Sequence, residues 1–236
     1  MLGDFDVAVS ASSLLDRDVD VLWVATKATQ LEQALELAPP HRVGEAAVVP
    51  LLNGVDHVEL LRGRYRNVVG AAIRVESERT GPGVIEQKSP FIRLDLAGAD
   101  ELVGALRGAG LDSRGRDDET TLLWEKLVFL APVALATTAF GGPVGAVRDD
   151  PSFVVCREEA ATAARAAGAA VDVEVIRALH EAAPEAMQSS MQKDVAAGRE
   201  PELAAIAGPI VRLGGQHGFS TAATAALVER VRARLH

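Results

Sequence analysis

Apolar positions along the chain follow two rhythms, and the change from one to the other divides it. In roughly the first hundred residues short apolar runs alternate with helical spacing. Residues 5–10 (FDVAVS) alternate with period two, and residues 19–26 (VDVLWVAT) read as a strand buried on both faces, as in a parallel sheet. Residues 30–37 (QLEQALEL) place Leu31, Ala34 and Leu35 on one helical face, and Pro39-Pro40 stops them. A strand at 46–52 (AAVVPLL) ends at Asn53-Gly54, and a helix is expected at 56–61. Residues 68–75 (VVGAAIRV) and 91–96 (FIRLDL) predict two more strands, with Gly81-Pro82-Gly83 a turn between them. Beyond residue 100 no strand is predicted; helical spacing covers 101–107, 119–140, 152–170, 173–183, 201–217 and 221–235. The pattern predicts an α/β fold with a partial, doubly wound parallel sheet over residues 1–115, then an all-α domain over 116–236, joined through the Gly- and Asp-rich segment 108–118.

The helical half is built around TTLLWEKLVFLAPVALATTAF, residues 120–140. After the pair Glu125 and Lys126, only Thr137 and Thr138 are polar, so this helix has to lie inside the protein. Pro132 removes a backbone donor and predicts a kink. The apolar run 127–140 is shorter than the roughly 20 residues of a bilayer span, so no membrane segment is expected. Lys126 itself has two readings. Its stem can pack while desolvation lowers the pKa of its ammonium toward the range useful for proton transfer, or it is a rim lysine paired with a neighbouring acid.

Composition narrows the function. A formal charge of −9 and a pI near 5.1 lack the basic face that nucleic acid requires. The single cysteine, Cys156, excludes an internal disulfide framework and a Cys-based zinc site, and reads as a small core residue. The histidines at 41, 57, 180, 217 and 236 show no ligand spacing, so no metal is expected. The N-terminus shows no basic-then-apolar signal, and the protein reads as cytoplasmic. Lys27 and Asn53 each follow an expected strand, where ligands of open α/β sheets bind. The alternatives are an ordinary residue leading into a helix and a plain Asn-Gly turn. Taken singly, Ser190 reads as a helix N-cap and Glu202, after Pro201, as a first-turn acid facing a helix dipole.

Five segments, VLWVATKATQ, VVPLLNGVDH, RTGPGVIEQ, LLWEKLVFLAPVALATTA and SSMQKDVAAGREPELAAIAGPIVRLGGQHG, resemble in order the ketopantoate reductases (2-dehydropantoate 2-reductases). The resemblance implies an N-terminal Rossmann-type domain for NADPH and a helical C-terminal domain of the 6-phosphogluconate dehydrogenase C-terminal-like type. It further implies a cleft for a small keto acid, a homodimer, and NADPH-dependent reduction of 2-dehydropantoate to pantoate in pantothenate biosynthesis. Lys126 then matches the general acid that protonates the ketone oxygen, and Glu202 the acid that fixes the substrate hydroxyl. Ser190 matches the serine that binds the substrate carboxylate. Asn53 matches the asparagine beside nicotinamide and reacting carbon, and Lys27 a lysine close to the cofactor. Leu130, Ala134 and Ala207 stand where the resemblance leads one to expect asparagines, so a less polar carbonyl substrate is implied. No GxGxxG occurs in the sequence; the resemblance places that phosphate-binding turn ahead of residue 1, so weak NADPH binding and an open sheet edge at 19–26 are expected. An alternative is a non-catalytic remnant that binds small molecules or oligomerises.

Overall fold

Hydrogen-bonded pairing decides which apolar runs become strands. The computed structural model describes residue 4 and residues 6–235 and divides into two compact units: one takes in residues up to Thr26, Gln30–Leu52 and Val58–Glu119, the other Lys27–Thr29, Asn53–His57 and the chain from Thr120 onward.

The first unit contains β1 (Val21–Val24), α1 (Leu31–Glu36), α2 (Pro40–Val43), β2 (Ala47–Pro50), most of α3 (Asp56–Arg62), β3 (Ala71–Arg74), a hairpin of β4 (Ser77–Gly81) and β5 (Val84–Gln87), β6 (Arg93–Ala97), α4 (Asp100–Gly108) and β7 (Asp112–Arg116). β1 and β2 are parallel, Leu22 opposite Val48. Val48 donates to the Asn67 carbonyl (2.8 Å) and accepts from Val69 (3.0 Å), which carries the sheet on toward β3. β3 runs antiparallel to β6, and β6 parallel to β7. The strands thus form a parallel pair, β1–β2, and a mixed three-stranded sheet in the order β3, β6, β7, with an isolated parallel bridge from Val48 to Val68 ahead of β3. Val49, Val69, Ala71, Leu94 and Leu96 bury one core with Val103 of α4.

Several expectations fail for one physical reason: a strand needs a partner. Residues 6–10 form no strand, with Val7 and Val9 65% and 80% exposed, and Phe5 lies outside the described residues. Among the described residues β1 pairs only with β2. β1 is accordingly half-buried rather than covered on both faces, and Trp23 is 38% exposed. Conversely, the segment expected to be a linker contains β7, whose sequence DSRGR carries almost no apolar signal; its register with β6, not its composition, makes it a strand. β4 and β5 flank the expected turn and are mostly polar.

The second unit is helical: α5 (Glu119–Phe140), α6 (Val144–Val147), α7 (Pro151–Ala166), α8 (Val173–Ala182), α9 (Ser190–Ala196), α10 (Leu203–His217) and α11 (Ala222–Arg232). α5 continues through Pro132 and is its axis; Leu127, Val128, Ala131 and Leu135 pack in one core with Phe153, Ile206, Ile210, Leu227 and Val231. By length and composition the whole of α5, longer than its apolar run 127–140, is long and apolar enough to cross a membrane, but 78% of its apolar window is buried, as in a core helix. Thr137 and Thr138 are fully inside because each hydroxyl donates to a carbonyl one turn back, Val133 (2.7 Å) and Ala134 (2.6 Å). Cys156 is a buried core thiol, with its pKa pushed up to about 12 by burial.

Candidate functional site

The loops that follow β1 and β2 belong with the helical unit, and they carry most of the candidate residues. Lys27 forms an ion pair through Nζ with Asp194 of α9. Asp194 is buried and also accepts from Arg199 Nε at 2.8 Å, so one carboxylate neutralises two cations. The backbone N–H of Ala28 donates to Glu202 Oε1 at 2.8 Å, and Asn53 Nδ2 donates to Glu202 Oε2 at 3.2 Å. Glu202 is 8% exposed and occupies the N-cap position of α10, yet its side chain makes no cap bond. The first-turn acid is thus replaced by a clamp on two loops, because their N–H donors are better placed than those of its own helix.

Gly54 makes the second loop possible. Its φ is +88°, and a Cβ there would lie 2.4 Å from the carbonyl oxygen of Ala205 on α10, so only glycine allows this approach. Three residues on, His57 is 6% exposed. Its pKa is lowered to about 4, first by burial and then by the positive charge of Lys126, with Asp56 opposing. Asp56 is itself held by Arg212 of α10 at 2.6 and 2.8 Å. Lys126 lies half-buried on α5, close enough for its charge to act on this imidazole. Lys27, Asn53 and Glu202 are therefore joined by direct contacts or through neighbouring residues, and Lys126 acts on the same five-residue segment that Glu202 anchors.

Ser190 is displaced from its expected place. The N-cap of α9 is Ser189, which accepts from Gln192 N at 3.0 Å and pairs with Thr137 Oγ1 at 2.7 Å, while Ser190 is exposed at the first helical position. Ala134 and Ala207 lie in the buried apolar core, with Leu130 packed against it. Asp194 and His57 were not singled out by sequence reasoning. The only signal for Asp194 was an acid in a polar stretch; for His57 it was position, four residues after Asn53. Among the described residues no group of three His, Cys, Asp or Glu side chains could hold a metal ion.

The sequence matches two profiles, Ketopantoate reductase PanE/ApbA over residues 4–94 and Ketopantoate reductase PanE/ApbA C terminal over residues 119–235. A 2-dehydropantoate 2-reductase of Mycobacterium tuberculosis is 32% identical over 219 residues, 89% of this chain and 74% of that protein. The chain belongs to the ketopantoate reductase family. The fold agrees: the crystal structure of a PanE/ApbA family ketopantoate reductase from Ralstonia eutropha JMP134 superposes with a TM-score of 0.88 at 27% identity, covering 99% of this chain and 82% of that one. A dimeric ketopantoate reductase from Staphylococcus aureus shares the fold at a TM-score of 0.81 and 19% identity, over 93% of this chain and 78% of that one.

A dinucleotide finds polar partners at the candidate site. Lys27 and Asn53 stand beyond the carboxyl ends of β1 and β2, with polar groups suited to a sugar or a carboxamide. No GxGxxG occurs in the sequence, so these polar groups are the part of a dinucleotide site that the described residues present.

Proposed function

We propose that this ketopantoate reductase-family chain reduces a 2-oxo acid, with 2-dehydropantoate the first substrate to test and NADPH the reductant. The observation that carries the reading is convergence: Lys126 and Glu202, 76 positions apart in number (202 − 126), both act on the segment 53–57, Glu202 by its bond to Asn53 and Lys126 through its charge at His57. A carbonyl undergoing reduction gains negative charge on oxygen, and the Lys126 ammonium is the group to neutralise it by giving up a proton from Nζ. Each Glu202 oxygen keeps a second lone pair after accepting from Ala28 and Asn53, so a substrate hydroxyl can donate to it without breaking the clamp. Ser190 Oγ, exposed at the head of α9, is available to the substrate carboxylate. Asp194 holds the Lys27 ammonium in place. A bound nicotinamide would supply the hydride.

Steady-state kinetics test the assignment. Lys126→Ala is expected to lower kcat by roughly 10²–10⁴, the usual worth of a positioned proton donor, while Glu202→Ala chiefly raises KM. Equal activity in both variants would overturn it. With no GxGxxG in these 236 residues, calorimetry on this exact polypeptide is expected to give an NADPH Kd weaker than micromolar. Ala134 and Ala207, buried in the apolar core, favour a second reading, a non-catalytic member that binds small molecules; binding of 2-dehydropantoate without turnover at saturating NADPH would support it. The dimeric S. aureus relative motivates a homodimer here, to be read by sedimentation.

A further inference from the structure

His57 is a buried imidazole with neither ring nitrogen hydrogen-bonded. A neutral imidazole has one N–H to give and one lone pair to receive. Leaving both unmet inside a protein costs on the order of 1–3 kcal/mol per group, which a merely space-filling residue would avoid by being Leu or Phe. The contrast with the other buried histidine is direct. His180 leaves only Nδ1 without a partner: it is bonded through Nε2 to the Phe129 carbonyl at 2.8 Å and packs against the rings of Phe129 and Phe153, so its place is explained by the core. His57 has no such account.

Its surroundings point to a ligand. The segment it closes is fixed at one end by Asn53 on Glu202, pressed onto α10 at Gly54, and held by the Asp56–Arg212 pair at the start of α3. Charged groups acting on the ring are Lys126 from α5 and Asp56 from its own helix. Beside an ammonium, an anionic or strongly polar oxygen is the partner that both groups favour.

Resting on the functional reading above, we propose that His57 is a further substrate-binding residue, whose ring N–H donates to an oxygen of the bound 2-oxo acid beside Lys126. The ring remains neutral at physiological pH, so it adds a donor without adding a second positive charge next to the lysine.

The test uses the full chain and 2-dehydropantoate as probe, with 2-oxo-3-methylbutanoate as a less polar companion. Calorimetry is expected to show His57→Phe weakening Kd about tenfold and His57→Gln, which keeps a donor, recovering part of that. In the ¹⁵N-histidine spectrum of the unsubstituted protein, the His57 ring resonances should shift on saturation while those of His180 stay. A measurable Kd that is unchanged in both variants, with an unmoved His57 resonance, overturns the proposal and leaves the functional reading intact. No binding of either acid to the unsubstituted chain overturns the functional reading and this proposal with it. Should His57→Phe fail to fold, the Gln variant and the ring resonance decide.

Discussion

Gly54 shows how much one missing Cβ can do. Its positive φ and the 2.4 Å that a Cβ would leave to the Ala205 carbonyl oppose any side chain twice over, and the obstruction is backbone rather than a flexible tip. Gly54→Ala is expected to cost at least about 2 kcal/mol in chemical denaturation and, by lifting the 53–57 segment from α10, to raise KM for the acid. An unaltered midpoint would mean that the loop can retreat. The sequence made Asn53-Gly54 visible as a turn and Asn53 as a strand-end residue, but not the carbonyl that explains the glycine. Asp194 and Glu202 repeat the lesson: one reads locally as an acid in a polar stretch, the other as a first-turn helix acid, and each is bonded to a loop more than 140 residues away, a pairing that no spacing along the chain reveals.

Helices were legible where their period is written in the sequence, as in α4, α8 and α10, and α5 by its unbroken apolar length; strands were legible where they are apolar, as in β1, β2, β3 and β6. β7 was not, since DSRGR owes its conformation to β6. The start of α11, expected at 221 and found at Ala222, is held by a contact that spacing does not show. Its first N–H groups are met not by the N-cap Thr221 but by Glu159 of α7, whose carboxylate accepts from Ala223 N (3.0 Å), Thr224 N (2.8 Å) and Thr224 Oγ1 (2.7 Å) while 7% exposed. A carboxylate at a helix N-terminus with three donors is a strong contact in low dielectric. Glu159→Ala should lose about 3 kcal/mol of stability and open α11 first, which hydrogen exchange at Ala223 and Thr224 would register; uniform protection across α11 would contradict it.

For the molecule as a whole, the two buried histidines set a pH dependence. The pKa values of His57 and His180 are both lowered to about 4, by burial above all, against about 6.5 for an exposed imidazole. Between those values the unfolded chain takes up protons that the folded one refuses, so stability is complete above about pH 6.5, declines as pH falls, and from these groups declines no further below about 4. Each contributes on the order of 3 kcal/mol at most. Thermal melts from pH 7 to 4 should steepen this fall in the parent relative to His180→Leu, a comparison that cancels the carboxylates; identical slopes would remove His180 from the account. An excised fragment from Asp118 onward is expected to fold cooperatively by circular dichroism, but less stably than the same helices in the full chain, because Asp194 and Glu202 would lose Lys27, Ala28 and Asn53.

The placement of Trp23 and Trp124 has a practical consequence. The sequence holds two tryptophans, one in each compact unit, Trp23 at 38% exposure on β1 and Trp124 at 4% within α5. Their fluorescence is therefore a two-colour reporter built into the polypeptide: the buried indole emits at shorter wavelength and resists quenching by iodide, while the half-exposed one emits to the red and is quenched readily. In Trp23→Phe the remaining emission follows the helical unit alone, and subtracting it from the parent signal lets the melting of the sheet be timed separately, without any attached dye.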